Sequence, residues 1–203
     1  VISATSWDVD STIVFGYNEK DFDNKFKVIS YGSCTVNAFL PLANLINNKY
    51  GIVNSDVNVI HNIQEYKLSD NYTLTRKFCT LEKQGPALLP FLNEDNFNVN
   101  YTVIPYPGVS TFDFRFTLQD KVNTLDFIDF LENELKNNQI GNLYEIMEDD
   151  LGPEVVNCTT YSAVIIKNQI KVRDDQVYLF SYFDNENSVN RYYDLIEHIL
   201  LSY

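Results

Sequence analysis

The sequence predicts one domain, or one domain with arms, in which strands and helices both contribute to the core. Its 203 residues are 45% hydrophobic and 14% aromatic, enough apolar surface to fill such a core. Apolar and β-branched runs bounded by turn residues read as strands, and helical periodicity appears between them. No internal repeat or low-complexity segment divides the chain.

Runs at about 11 to 16 and 26 to 30 read as the first strands. The next segment, about 35 to 50, is apolar on most faces, with Phe39, Leu40, Leu42, Leu45 and Ile46. It ends at Asn48 and Gly51, a usual helix stop. A buried helix is expected there. Pro41 removes one backbone donor inside it, so the helix should kink or begin its regular part at that point. A strand follows at about 53 to 61, with Val57, Val59 and Ile60 leading to His61. From Gln64 to Lys77 polar and aromatic residues mix without a period, which predicts a loop or an interface arm.

Further strands are expected at about 98 to 104 and 109 to 118. A helix at about 124 to 138 sets Leu125, Ile128, Leu131 and Leu135 on one stripe, with Asn123 or Thr124 as its cap. Strands at about 161 to 166 and 176 to 183 precede a last amphipathic helix, about 189 to 201, which carries Tyr192, Leu195, Ile196, Ile199 and Leu200.

The formal charge of −13 disfavours nucleic acid and anionic membranes, whose phosphates need clustered Lys and Arg. No apolar run approaches the roughly 20 residues needed to span a bilayer, and the first residues carry no signal-type core. A cytoplasmic protein with reduced thiols is the expectation. Cys34, Cys79 and Cys158 are widely spaced without a C-x-x-C, and only His61 and His198 accompany them, so no metal site is expected. Neither G-x-G-x-x-G nor a P-loop pattern occurs, so this chain has no such cradle for a nucleotide phosphate.

Ser33-Cys34-Thr35 lies between a strand and the start of the buried helix. Unpaired N–H groups and the helix dipole favour a negative charge there, so Cys34 is a candidate nucleophilic thiolate. His61, at a strand end, is its candidate partner. Taken singly, a small buried cysteine and a hydrogen-bonded structural histidine remain open readings. Cys79, Cys158 and His198 read as structural residues.

The surrounding motifs carry a resemblance. The run from Lys27 to Ala43, with Ser33-Cys34-Thr35-Val36-Asn37 followed by Phe39-Leu40-Pro41-Leu42-Ala43, resembles the active-site segment of the glyceraldehyde-3-phosphate dehydrogenase family. Asn47-Asn48-Lys49-Tyr50-Gly51-Ile52-Val53, Pro105-Tyr106-Pro107-Gly108-Val109-Ser110 and Ser181-Tyr182-Phe183-Asp184-Asn185-Glu186 match further family motifs in order. Val1-Ile2-Ser3-Ala4 and Gly16-Tyr17-Asn18-Glu19-Lys20 extend the similarity to the first residues.

The resemblance implies an α+β fold: a mixed, largely antiparallel sheet with helices on one face and subunit contacts on the other. Residues 1–203 would be the catalytic domain, the family's N-terminal dinucleotide-binding domain being absent from this chain. It also implies an NAD- or NADP-dependent dehydrogenase of a small phosphorylated aldehyde, of glyceraldehyde-3-phosphate or erythrose-4-phosphate type, working as a homo-oligomer. Cys34 would form a thiohemiacetal and then a thioester, with His61 as base and oxyanion stabiliser. Asn185 would contact the nicotinamide, while Ser33, Thr35 and, by a loose alignment, Arg76 would lie near phosphate. Inorganic phosphate or water would release the acyl group. The isolated domain is expected to be inactive, since the cofactor needs the missing domain. Val36, Gln84 and Val103 depart from the family pattern, which motivates the alternative of a degenerate, non-catalytic binding or assembly module.

Overall fold

The apolar and polar alternation along the central strands becomes a seven-stranded sheet in the computed structural model, which describes residues 1–66, 74–106, 108–137 and 139–202. In chain order the strands are β1 (Ser11–Thr12), β2 (Ile29–Ser30), β3 (Ile52–Asn62), β4 (Phe97–Ile104), β5 (Ser110–Leu118), β6 (Tyr144–Met147), β7 (Ala163–Ile166), β8 (Lys171–Arg173) and β9 (Gln176–Phe183). The helices are α1 (Cys34–Tyr50), α2 (Leu81–Leu88), α3 (Thr124–Asn137) and α4 (Asn185–Leu201), with short 3-10 turns between. Among the described residues the main sheet runs β4-β3-β5-β9-β7-β6, with β8 paired to β9. The β3–β4 and β6–β7 pairs are parallel and the others antiparallel. The fold is α+β with a mixed, largely antiparallel sheet, as the resemblance implied.

Period-two alternation decides the two faces. Phe112, Phe114 and Phe116 of β5 point one way and are buried, whereas Asp113 and Arg115 point to the open face. Phe39 of α1 lies over that aromatic row, with ring centroids 6.3, 6.1 and 6.0 Å from Phe112, Phe114 and Phe116. Phe127 and Leu131 of α3 join the same core. His61 shares the covered face of β3 with Val57 and Val59. That alternation alone turns His61 toward the start of α1.

The central strands lie within a residue or two of their expected places. The first two do not. β1 and β2 keep only two residues each and form a separate parallel ribbon. Side chains take the backbone groups that a longer ladder would use: Asn18 Oδ1 accepts from Val14 N–H at 2.7 Å, and Asp10 Oδ2 accepts from Lys27 and Val28 N–H at 2.7 and 2.8 Å. α2 contains Gly85 and Pro86, which read as turn residues, while β6 and β8 are too short to show a period. α4 begins four residues before its apolar stripe. Its first turn is held by polar groups: Asp184 Oδ1 accepts from Asn185 N–H at 2.7 Å, and Asn187 Nδ2 donates to Thr159 Oγ1 at 2.9 Å. Asn123 caps α3 through Asp126 N–H at 2.9 Å. Residues 67–73 of the expected 64–77 loop, and residue 138 of the expected 124–138 helix, lie outside the described residues.

Candidate active site

Local chemistry fixes where α1 starts. Gly32 adopts φ +90°, a conformation costly for any residue with a Cβ, and turns the chain out of β2. Asn37 Nδ2 donates back to Tyr31 O and Ser33 O at 3.1 and 2.9 Å, locking the turn. Ser33 is the extended N-cap, its Oγ accepting from Val36 N–H at 3.4 Å. Cys34 is therefore the first helical residue, half-buried.

His61 reaches it from the end of β3. Cys34 Sγ lies 3.3 Å from His61 Nε2, and His61 Nδ1 is 2.7 Å from Asn62 O. A carbonyl oxygen can only accept, so Nδ1 carries the proton and Nε2 presents its lone pair to the thiol. The ring is held edge-on by Phe183 at 5.5 Å and beside Tyr101 at 5.8 Å. Asn185, the first residue of α4, lines a cavity with His61, and its side chain favours the protonated ring. Ser33 and Thr35 stand together on the other side of Cys34, their hydroxyls 3.1 Å apart.

Electrostatics corrects the expectation of a thiolate. Burial pushes the Cys34 thiol up to about 12, and the charges of Cys79 and Asp184 push the same way, against the N–H groups of Thr35 and Cys34. Burial also lowers His61 below the ordinary histidine range, against the Asn62 carbonyl and the nearby Asn185 side chain. Desolvation penalises any charged form, so it outweighs the helix terminus. Both shifts favour the uncharged thiol and imidazole.

The comparisons bear on the chain as a whole. No family model matches the chain. The cytosolic glyceraldehyde-3-phosphate dehydrogenase of Pisum sativum is 30% identical over 215 residues, covering 98% of this chain and 63% of that protein. The glyceraldehyde-3-phosphate dehydrogenase of Claviceps purpurea (strain 20.1) is 29% identical over 219 residues, covering 94% and 60%. The cytosolic enzyme of Antirrhinum majus is 28% identical over 214 residues, covering 98% and 63%. The chain is similar to glyceraldehyde-3-phosphate dehydrogenases over almost its whole length, as a C-terminal domain of that kind would be.

The chain spans less than two thirds of the length of those curated relatives. Of the residues singled out in its sequence, the fold gathers Cys34, His61 and Asn185, with Ser33 and Thr35 flanking the thiol. Arg76 is not among them. Its guanidinium lies 3.3 Å from Glu82 and donates to Val99 O at 2.9 Å, and it lines an open-face cavity with Asp56, Asn58, Asn98, Asn100 and Arg115. Two groups that sequence reasoning passed over join the site: Thr80, whose Oγ1 is 2.9 Å from Ser33 Oγ, and Tyr101 beside His61. Nothing local marks them, because both arrive from strands and turns distant in the chain.

Asp184 and Glu186 form a third such feature. Asp184 is buried and its carboxyl is pushed up to about 7, first by burial and then by Glu186. His198, by contrast, packs structurally: Nε2 donates to Glu19 O at 2.9 Å. Cys79 is buried in the core and Cys158 is exposed. Among the described residues no group of three or more His, Cys, Asp or Glu could hold a metal ion, and no helix is long and apolar enough to cross a membrane.

Proposed function

We propose that Cys34 and His61 are the nucleophile and general base of a catalytic domain, residues 1–203, that oxidises an aldehyde in the cytoplasm. The observation that carries this is the 3.3 Å approach of Cys34 Sγ to the unprotonated nitrogen of His61. As Sγ adds to the carbonyl carbon, His61 Nε2 takes the thiol proton, and the carbonyl π pair moves to oxygen. The imidazolium so formed faces the new oxyanion and stabilises it. Because both groups rest neutral, the proton moves during attack and not before it.

Asn185 is exposed, lines the cavity that contains His61 and presents an amide suited to a carboxamide, so it fits one end of a nicotinamide. NAD or NADP, when bound, supplies the hydride acceptor, and the rest of the dinucleotide is held outside this chain. Ser33, Thr35 and Thr80 cluster their hydroxyls at the start of α1, where N–H groups favour an anion. They position the phosphate or water that releases the acyl group from Cys34. The polar open face of the sheet, with Asp113 and Arg115, serves contacts with a second copy.

Acyl transfer to the thiol tests this reading without the cofactor. p-Nitrophenyl acetate is expected to acetylate Cys34, detected by peptide mass spectrometry. His61→Gln should slow the reaction about 100-fold or more, within the usual range for a lost general base. No adduct on Cys34, or an adduct indifferent to His61, would overturn the proposal in favour of a non-catalytic binding or assembly module. The 203-residue chain alone is expected to reduce no NAD or NADP in the presence of aldehyde.

A further inference from the structure

Tyr101 brings the one side-chain hydroxyl to the lining of the cavity that it shares with His61 and Asn185. Register and alternation put it there. Tyr101 of β4 pairs with Val59 of β3, and Val103 pairs with His61, so the Tyr101 side chain stands on the covered face of the sheet, diagonal to the imidazole. The two ring centroids are 5.8 Å apart and the planes cross at 53°. The backbone of the same residue ties β4 to the segment beside the thiol. Lys77 N–H donates to Tyr101 O at 2.8 Å, and Cys79, next along that segment after Phe78, lies with its Sγ 3.6 Å from Thr35 Oγ1.

Among the described residues the Tyr101 hydroxyl has no hydrogen-bond partner, and its contact with His61 is through the ring. Burial holds the phenol protonated far above neutrality, and the charges of Cys34 and Cys79 push it the same way, as they do for a hydroxyl turned toward both thiols. When a thiol adds to a carbonyl, the oxygen gains a full negative charge with more than one lone pair to satisfy. His61 meets one of them. In a site where water is partly excluded, the others stay costly unless a second protein donor meets them. A phenol that keeps its proton supplies such a donor without competing with His61 for the thiol proton.

We propose that Tyr101 is a further catalytic residue, its phenol O–H donating to the carbonyl oxygen that Cys34 attacks, alongside His61. This role rests on Cys34 and His61 being nucleophile and base, and adds a second oxyanion donor to that pair. As the S–C bond forms, the carbonyl π pair moves to oxygen, the thiol proton goes to His61 Nε2, and the phenol proton stays on Tyr101. With an ester the pair then returns to carbon and the alcohol group leaves; with an aldehyde His61 hands its proton to the oxygen and a thiohemiacetal results. No oxidant enters either step. Asn185 keeps its place against the nicotinamide.

Two reactions of the same thiol, measured on the whole chain at pH 8, test the role. Acetylation of Cys34 by p-nitrophenyl acetate develops an oxyanion; alkylation by iodoacetamide displaces iodide from a CH2 group and develops none. Tyr101→Phe removes one oxygen and keeps the ring. It should slow acetylation about 100-fold, the usual cost of one oxyanion donor, while alkylation changes by no more than about twofold. Urea midpoints of the variant and the wild type check that the fold is kept. Acetylation that the variant leaves unchanged, or acetylation and alkylation that fall together as a packing role predicts, overturns the donor and leaves the nucleophile reading standing. Failure of the wild-type chain to acetylate at Cys34 removes the nucleophile reading and this one with it.

Discussion

The Tyr144 hydroxyl occupies the gap that Pro41 leaves in the helix carrying Cys34. Pro41 has no N–H, and at the next position Tyr144 Oη accepts from Leu42 N–H at 3.1 Å. The same hydroxyl can donate to Ala38 O at 3.0 Å or Asn37 O at 3.4 Å. α1 therefore runs as one element from Cys34 to Tyr50, with the proline bridged from the sheet by a fully buried phenol. The sequence predicted a kink or a late start because the bridging residue lies 103 positions away in the chain, from Pro41 to Tyr144.

Tyr144→Phe should therefore destabilise the fold by about 1–3 kcal/mol, the usual cost of leaving buried backbone groups unpaired. Urea unfolding at pH 7 measures it as a lower midpoint. Pro41→Ala in the Tyr144→Phe background should recover part of the loss, since the helix can then close its own bonds. A purely additive double-mutant cycle would contradict the bridge.

The raised thiol value has a kinetic signature. With Cys34 near 12 instead of the ordinary 9.0, the thiolate fraction grows about tenfold per pH unit across the neutral range. Alkylation of Cys34 by iodoacetamide should climb from pH 7 to 10 without a plateau, and near neutrality should run slower than at exposed Cys158. A plateau below pH 7 would instead indicate a thiolate–imidazolium pair.

Asp184 makes stability fall with pH. Its folded value, about 7, lies above the ordinary 3.8, so the folded state holds the proton more tightly. That contribution is complete below about pH 4 and is lost as pH rises through 7. Asp184→Asn keeps a capping oxygen for Asn185 N–H and removes the charge. The variant should gain about 1–2 kcal/mol over wild type between pH 4.5 and 8, read from urea midpoints at the two values. Its Cys34 should also alkylate faster, because Asp184 is one of the charges holding the thiol up.

Gly51 closes α1 at φ +66°, and a Cβ there would meet Gln119 Cδ at 2.6 Å. Gly51→Ala should cost about 1–2 kcal/mol through the left-handed backbone and that contact. Thermal unfolding should show the loss, while acetylation of Cys34, at the opposite end of the helix, should keep its wild-type rate.

By itself the sequence determined the central strands, the buried helix and the candidate pair Cys34 and His61. Those features rest on local patterns: alternation along β3 and β5, a Gly stop after α1, and a cysteine at the start of an apolar helix. Only the tertiary structure decided that Tyr144 completes α1, that Asn18 and Asp10 cut the first strands short, and that Arg76 turns away from the thiol toward Glu82. It also set the desolvation that raises the Cys34 thiol. Hydrogen-bond partners and desolvation depend on which distant segments pack together, and a helix terminus read from local sequence carries no measure of how much water the fold removes around it.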